Sequence, residues 1–179
     1  QRAGVEHDTI TARLPDALSR YLDLLHHELS TIDPAQHVFP GIDPLLDALE
    51  QRDDVLLGLL TGNIQPGAVA KLRAVGINPD RFKVGAFGSD HASRPELPGI
   101  ARSRAEALLG HAVAGDDVIV IGDTPADMSC GNGIGARAIG VATGRYSVAQ
   151  LNACAEGVVF QDLSDTDAVL SAILGAADA

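Results

Sequence analysis

The sequence of 179 residues is poor in aromatic residues, sulfur-containing residues and lysine. It has no tryptophan, one methionine and two cysteines, Cys130 and Cys154. The two cysteines lack metal-ligand spacing and nothing indicates export, so we expect a cytoplasmic protein with both thiols in its core. Because Gly, Asp or Pro interrupts every apolar run, no segment is expected to cross a membrane. A globular domain is the remaining expectation.

Positive charge is scarce as well. Thirteen Lys and Arg residues stand against 24 Asp and Glu, which gives a formal net charge of −11. Binding to nucleic acid or to an anionic membrane depends on Lys and Arg neutralising phosphates, so neither is expected as a partner. A small ligand that is bound locally remains compatible with this charge.

The hydrophobic pattern changes part-way along the chain. Apolar residues recur every three or four positions from Thr9 to about Leu29, and a second amphipathic helix is predicted over 43–51. Beyond it, short β-type runs at Val55–Leu60, Val84–Phe87, Val118–Ile121, Ala138–Val141 and Gly157–Phe160 alternate with helical segments near 65–75, 95–109, 126–134, 147–154 and 166–174. Ser147 has capping-box spacing to Gln150, and Ser164 or Asp165 can cap the last helix. This alternation predicts an α/β fold, a three-layer Rossmann-like arrangement with a mainly parallel sheet over residues 37–179.

The loop after the first β-type run carries polar residues suited to an anion. It reads Leu59-Leu-Thr-Gly-Asn63, so a hydroxyl, a glycine and an amide follow a buried strand just before a helix that begins near Gln65. In open parallel sheets, ligands bind beyond the carboxyl ends of the strands. Free backbone N–H groups at a helix start favour an anionic oxygen there. Alternatively, Thr61 or Asn63 only caps the helix.

The loop after the third run carries two acids. In Val118-Ile-Val-Ile-Gly-Asp-Thr-Pro-Ala-Asp127, Asp123 follows the strand directly and Asp127 lies one helical turn further on. Two carboxylates on the same side of a helix repel each other, and a hard cation such as Mg²⁺ would relieve that repulsion. Alternatively, Asp123 is a turn residue and Asp127 stabilises the positive end of the helix.

A phosphoryl site also needs a fixed cation. The two lysines, Lys71 and Lys83, are absent from the turn-rich connection of residues 89–98, which precedes a helix with two arginines. If a side-chain cation reaches the site from this connection, it has to be an arginine. Arg94 is the first candidate and Arg104 the second.

These residues resemble the haloacid dehalogenase-like (HAD) hydrolase superfamily, in particular its phosphoglycolate-phosphatase-like members. The resemblance implies that Thr61, Gly62, Asn63 and Arg94 bind phosphate, with Thr61 and Arg94 also taking part in catalysis, and that Asp123 and Asp127 form the magnesium site. It covers residues 37–179, while residues 1–36 resemble the trailing part of a helical cap.

One motif of this superfamily is absent from the 179 residues. No strand ends in Asp-x-Asp-Gly-Thr, which in these enzymes supplies the nucleophilic aspartate and the acid–base aspartate. The resemblance places that strand at the centre of the sheet, between the runs at Val118–Ile121 and Val55–Leu60. Without it, two apolar edges would face a gap, which favours self-association. We therefore expect an N-terminally incomplete core that is inactive alone.

The expected function is a magnesium-dependent phosphatase that hydrolyses a small phosphorylated metabolite through an aspartyl-phosphate. A phosphomutase or a dehalogenase of the same superfamily is the related alternative. From a different class, a noncatalytic phosphate-binding protein remains open. An acidic receiver-like domain built on Asp123 would need a strand-end lysine late in the chain, and the sequence has none there.

Overall fold

Five short strands alternate with helices along the chain in a computed structural model that describes residues 4, 6–34, 38–154 and 157–175. The strands are β1 (Gly58–Thr61), β2 (Val84–Phe87), β3 (Ile119–Gly122), β4 (Arg137–Val141) and β5 (Val158–Phe160). The α-helices are α1 (His7–Leu29), α2 (Ile42–Glu50), α3 (Gln65–Ala74), α4 (Leu97–Leu109), α5 (Pro125–Cys130), α6 (Val148–Asn152) and α7 (Thr166–Leu174). The predicted α/β class is confirmed.

All strand pairs are parallel, as predicted, but the described strands form two sheets. In one sheet β1 pairs with β2, from Gly58 opposite Val84 to Thr61 opposite Phe87. In the other, the order is β3, β4, β5. Within the described residues, β1 and β3 therefore each have one edge without a strand partner.

Helices cover both faces of the three-stranded sheet. Ile139 and Val141 of β4 pack in a buried cluster with residues of α2 and α7. Gly140 lies between them in the strand and so faces the other way, where an added Cβ would lie 3.0 Å from Sδ of Met128 in α5. The sheet is thus the middle of three layers, which is the predicted arrangement.

The helix boundaries follow local capping chemistry. The Ser147 side chain accepts a hydrogen bond from the Gln150 N–H and Asp165 accepts one from the Ala168 N–H, as the sequence predicted for α6 and α7. Gly76, just beyond α3, has a φ of +81°, a conformation that only glycine adopts without strain. Gly41 is similar, with a φ of +85° at the start of α2.

Three sequence-based predictions need correction. The first strand begins at Gly58 instead of Val55, and its parallel pairing with β2 starts at Gly58 opposite Val84. The helix predicted over 126–134 ends at Cys130, and Gly131 begins a separate 3-10 turn. Cys130 is buried as predicted, but Cys154 is exposed, so only one thiol belongs to the core.

The long N-terminal helix α1 contributes nothing to the buried core. None of its residues is fully buried, and Ile10, Leu14, Tyr21 and Leu24 are exposed although they are large and apolar. The helix packs against α3. Within the described ranges, every helix is too short or too polar to serve as a membrane span.

Candidate active site at the strand carboxyl ends

The first polar loop, residues 61–64, is here called the Thr61 loop. Oγ1 of Thr61 accepts a hydrogen bond from the Asn63 N–H at 3.1 Å, and Oδ1 of Asn63 accepts one from the Ile64 N–H at 2.9 Å. The loop is also held from β2, because the Gly88 N–H donates to the Asn63 carbonyl at 2.8 Å. It is therefore a fixed turn at the carboxyl end of β1.

Neither Thr61 nor Asn63 caps helix α3, which was the alternative role for these two residues. The residue at the N-cap of α3 is Ile64, and no side chain caps the helix. Thr61 and Asn63 instead bond within the loop, so among the described residues no side chain caps the first turn of α3. An arrangement of this kind is suited to an anionic oxygen.

The second polar loop, residues 123–124, is here called the Asp123 loop, and it leads from β3 into α5. Thr124 is the N-cap of α5 and forms a reciprocal capping box with Asp127. Oδ2 of Asp127 accepts hydrogen bonds from the N–H of Thr124 at 3.0 Å and from its hydroxyl at 2.7 Å. Asp127 therefore does stabilise the start of α5, as the alternative interpretation of this residue predicted.

Arg94 lies between the Thr61 loop and helix α5. Its Nη2 forms an ion pair with Oδ1 of Asp127, whose residue is only 5% exposed. On the other side, a Cβ added to Gly62 would lie 3.9 Å from Nη1 of Arg94. Its Nε is buried and has no hydrogen-bond partner in the described part of the chain. The guanidinium therefore lies between the Thr61 loop and α5 and keeps unused donors.

The second candidate arginine is engaged elsewhere. Arg104 donates two hydrogen bonds to the carboxylate of Asp90, at 2.7 and 2.8 Å, and one to the Gly85 carbonyl at 2.6 Å. Arg104 thereby lowers the pKa of Asp90, and the Phe87 N–H contributes to the same shift. This ion pair ties α4 to the end of β2, so Arg94 is the better placed of the two cations.

Asp123 differs from Asp127 in having a free carboxylate. Among the described residues, no hydrogen bond or ion pair engages the Asp123 side chain. It packs against the loop after β4, where an added Cβ on Gly144 would lie 2.0 Å from Oδ2 of Asp123. The carboxylate is thus held in place by contact and remains available as a ligand.

The fit of this site to Mg²⁺ rests on Asp123. Mg²⁺ in proteins commonly uses one or two carboxylates and takes its other ligands from substrate phosphates and water. No group of three or more His, Cys, Asp or Glu side chains in the described ranges is placed to hold a metal. Both oxygens of Asp127 are occupied, by Thr124 and Arg94. The free carboxylate of Asp123 therefore fits a Mg²⁺ ion that takes its other ligands from a phosphate and water.

A cysteine and a cavity lie beside these loops. The Cys130 thiol is buried near Arg94 and Asp127, and burial raises its pKa. A cavity of about 480 Å³ lies beside the Thr61 loop and α3, lined by Leu59, Thr61, Asn63, Ala68, Lys71 and Leu72. It does not include Asp123 or Arg94, so it adjoins the Thr61 loop without being the whole candidate site.

Sequence reasoning missed three residues that shape the site. Thr124 could have been found, since Thr124-Pro-Ala-Asp127 has the spacing of a capping box with Asp in the place of Glu. Gly144 and Tyr21 gave no comparable signal. Their contacts, with Asp123 and Asn63, join positions 21 and 42 residues apart in the sequence.

Comparison with a family model supports the interpretation of the C-terminal half. Residues 98–166, which include β3, the Asp123 loop and β4, match the model of a family described as HAD-hydrolase-like. The chain has a HAD-like fold. The resemblance inferred from the sequence is thereby supported over residues 98–166.

Solved structures with the HAD-like fold extend the match beyond those residues. A β-phosphoglucomutase from Clostridium difficile superposes with a TM-score of 0.67 at 18% identity, over 94% of this chain and 69% of the enzyme. A hydrolase from Pseudomonas syringae gives 0.61 at 22% identity, over 74% of this chain and 60% of that one. A predicted phosphoglycolate phosphatase from Haemophilus somnus gives 0.58 at 18% identity, with 74% and 56% covered.

The chain spans only 60% of the hydrolase and 56% of the phosphatase. No curated protein sequence matches it. The similar structures therefore establish the HAD-like fold, while the reaction has to be argued from the residues of the site.

Proposed function

We propose that this HAD-like chain is part of a magnesium-dependent phosphatase that acts on a small phosphorylated metabolite. The observation that carries the proposal is the position of Arg94. Its guanidinium lies between the Thr61 loop and α5. The Thr61 loop is suited to an anion, and the Asp123 loop, which directly precedes α5, has a free carboxylate. A hydroxyl after β1, a carboxylate after β3 and a cation between the Thr61 loop and α5 are among the parts that phosphoryl transfer requires.

Each residue has a defined task in this proposal. The Thr61 hydroxyl, the Asn63 amide and the backbone at Gly62 hold the oxygens of the phosphoryl group. Arg94 compensates its negative charge, and Asp127 holds Arg94 in place. Asp123 contacts the metal ion, which when bound draws charge from the phosphoryl oxygens. Asp127 contributes to the metal site by fixing the start of α5 next to Asp123.

The nucleophile is the part of the proposal that these residues do not supply. An aspartyl-phosphate forms when a carboxylate oxygen attacks phosphorus and the bond to the leaving oxygen breaks, after which water releases phosphate. The 179 residues contain no Asp-x-Asp-Gly-Thr, and we propose that a segment outside them provides this carboxylate. β1 and β3 each have an edge without a partner in the described residues, and a parallel strand that paired with both would end near Thr61 and Asp123.

The test separates ligand binding from turnover. Inorganic phosphate should bind the 179-residue protein, measured by ³¹P NMR, and Mg²⁺ should strengthen that binding. Thr61→Ala should weaken phosphate binding without removing the Mg²⁺ effect, whereas Asp123→Asn should remove the Mg²⁺ effect. A wild-type protein that binds neither ligand would contradict the proposal.

Turnover should be measured with an aryl phosphate, with and without Mg²⁺. The 179-residue protein should be inactive, and the same protein carrying any residues encoded upstream of Gln1 should hydrolyse the ester only with the metal. The alternative is a noncatalytic phosphate-binding protein, which the missing nucleophile motif favours. Phosphate binding without turnover by the extended protein would establish that alternative.

A further inference from the structure

The N-terminal helix α1 reaches the Thr61 loop through one polar contact. The hydroxyl of Tyr21 donates a hydrogen bond to Oδ1 of Asn63 at 2.9 Å. No residue of α1 is fully buried, so apolar burial provides little to hold this helix in place. The Tyr21 hydrogen bond is therefore a specific, directional tie between α1 and the Thr61 loop.

The orientation of the Asn63 amide follows from the groups around it. The Ile64 N–H lies 2.9 Å from the amide and can only donate, so the atom that faces it has to be the carbonyl oxygen Oδ1. The Tyr21 hydroxyl donates to the same oxygen, so both lone pairs of Oδ1 are used. What the side chain has left for a ligand is its Nδ2 group, with two N–H donors that suit a phosphate oxygen.

A glycine in α3 makes the contact possible. A Cβ on Gly67 would lie 2.8 Å from Oδ1 of Asn63 and 3.2 Å from both Cε1 and Oη of Tyr21. Any side chain at position 67 would push the phenol and the amide apart. The three residues thus form a close-packed junction, here called the Tyr21 junction, that joins α1, α3 and the Thr61 loop.

We propose that Tyr21 is a positioning residue, which orients the Asn63 amide for anion binding and makes the packing of α1 depend on the occupancy of the Thr61 loop. This inference rests on the proposed function of that loop. Coupling between two binding events is reciprocal. If the docked helix favours anion binding, a bound anion has to favour the docked helix.

The two tyrosines of the chain provide a matched pair of variants. Tyr21→Phe removes the hydroxyl and keeps the ring against Gly67. Tyr146→Phe removes the other phenolic hydroxyl, from a ring that packs against the Arg145 guanidinium. By ³¹P NMR with Mg²⁺ present, Tyr21→Phe should weaken the binding of inorganic phosphate about three- to tenfold, the effect of one hydrogen bond. Tyr146→Phe should bind phosphate like the wild type.

The Tyr146→Phe protein also gives a direct spectroscopic signal. The sequence has no tryptophan, so Tyr21 is the only tyrosine of this variant and dominates its fluorescence over the weakly emitting phenylalanines. Titration with phosphate should change the Tyr21 emission with the same midpoint as the NMR titration. Hydrogen exchange of residues 7–29 should slow on phosphate binding in the wild type and change much less in Tyr21→Phe.

Gly67→Ala tests the same junction from α3. Alanine favours a helix over glycine, so this variant should stabilise α3 if the junction is unimportant. We expect instead that it weakens phosphate binding and speeds exchange of residues 7–29. A purely structural role for Tyr21 would lower the melting temperature in both junction variants and leave phosphate affinity unchanged.

The outcomes distinguish this inference from the proposed function. If the wild type binds phosphate and Tyr21→Phe binds it equally well, Tyr21 is not a positioning residue and the proposed function stands. Constant emission from Tyr21 during a phosphate titration that NMR shows to saturate would lead to the same conclusion. If the wild type binds no phosphate even with Mg²⁺, both proposals fail.

Discussion

Asp123 and Asp127 are four residues apart and have different surroundings. The carboxylate of Asp127 is buried and receives hydrogen bonds from Thr124 and an ion pair from Arg94. Asp123 has no such partner in the described structure and is confined only by contact with Gly144. Two acids that look equivalent in the sequence are therefore suited to different tasks, one to holding a cationic side chain and the other to binding a ligand.

The contact between Asp123 and Gly144 leads to a prediction for metal binding. In Gly144→Ala the new Cβ would lie 2.0 Å from Oδ2 of Asp123, so the carboxylate has to move. We expect Mg²⁺ affinity, measured by calorimetry, to fall about 10- to 100-fold, as when the support of a metal ligand is disturbed. Gly133→Ala is the control, because nothing lies within 4 Å of a Cβ there. Equal Mg²⁺ affinity in both variants would refute a ligand role for Asp123.

The ion pair of Arg94 and Asp127 leads to a prediction for stability. Arg94→Met leaves a buried carboxylate without its cation, which should cost about 1–3 kcal/mol in the free energy of unfolding, measured with urea. The cost stays below that of a fully buried pair, because the side chain of Arg94 is 33% exposed and Asp127 keeps its bonds to Thr124. In the double variant with Asp127→Asn, the loss should be smaller than the sum of the single losses. Additive losses would mean that the two side chains do not interact.

At the scale of elements, α4 is tied to β2 through Arg104 and Asp90. Because hydrogen bonds from Arg104 lower the pKa of Asp90, the pair stabilises the fold at pH values above the ordinary carboxyl pKa of about 3.9. That contribution is lost as the pH falls through the lowered pKa. It should be at most about 1 kcal/mol, because the pair is partly exposed and solvent screens it.

The measurement is the unfolding free energy of wild type and Asp90→Asn as a function of pH. The difference should be constant from pH 5 to pH 7 and should disappear as the pH falls well below about 3.9. Asp16→Asn, on the exposed surface of α1, is the control and should show little difference at any pH. A difference for Asp90→Asn that persists at the lowest pH would show that the carboxylate charge is not what stabilises the contact.

The helices, the strands and the residues at the strand ends could be predicted more fully from the sequence than the contacts between distant residues. The parallel-sheet rule placed Thr61 and Asp123 at strand ends from the order of short apolar runs alone. The start of β1 could not be predicted, because Val55–Leu57 is as apolar as the strand that begins at Gly58. The ion pair of Arg94 and Asp127 joins residues 33 apart in sequence, and no local pattern encodes such a contact.

At the scale of the whole molecule, sheet edges and net charge act against each other. The unpaired edges of β1 and β3 are sites where another copy of the chain could add a strand. Ile121 of β3 is 38% exposed, which adds apolar surface near one of these edges. A net charge of −11 keeps copies apart. Association through the edges should therefore depend strongly on salt.

We predict that the protein is mostly monomeric at low ionic strength and associates as salt is added. Raising ionic strength from about 0.01 M to about 1 M shortens the Debye length from about 30 Å to about 3 Å, which removes most of the repulsion between copies. Sedimentation velocity at several protein concentrations should show this change. Ile121→Lys places a charge on β3 and should suppress association at high salt, because a buried charge in a newly paired strand is costly.

The control for Ile121→Lys has to change the net charge equally without affecting a strand. Leu24→Lys meets this condition, since Leu24 lies on α1 and is 55% exposed. If association occurs through the sheet edges, Leu24→Lys should associate at high salt as the wild type does, while Ile121→Lys should stay monomeric. If both variants suppress association, the sheet edges are not its specific site. Association would then depend on exposed apolar surface in general, because the same added charge acts from two unrelated surfaces.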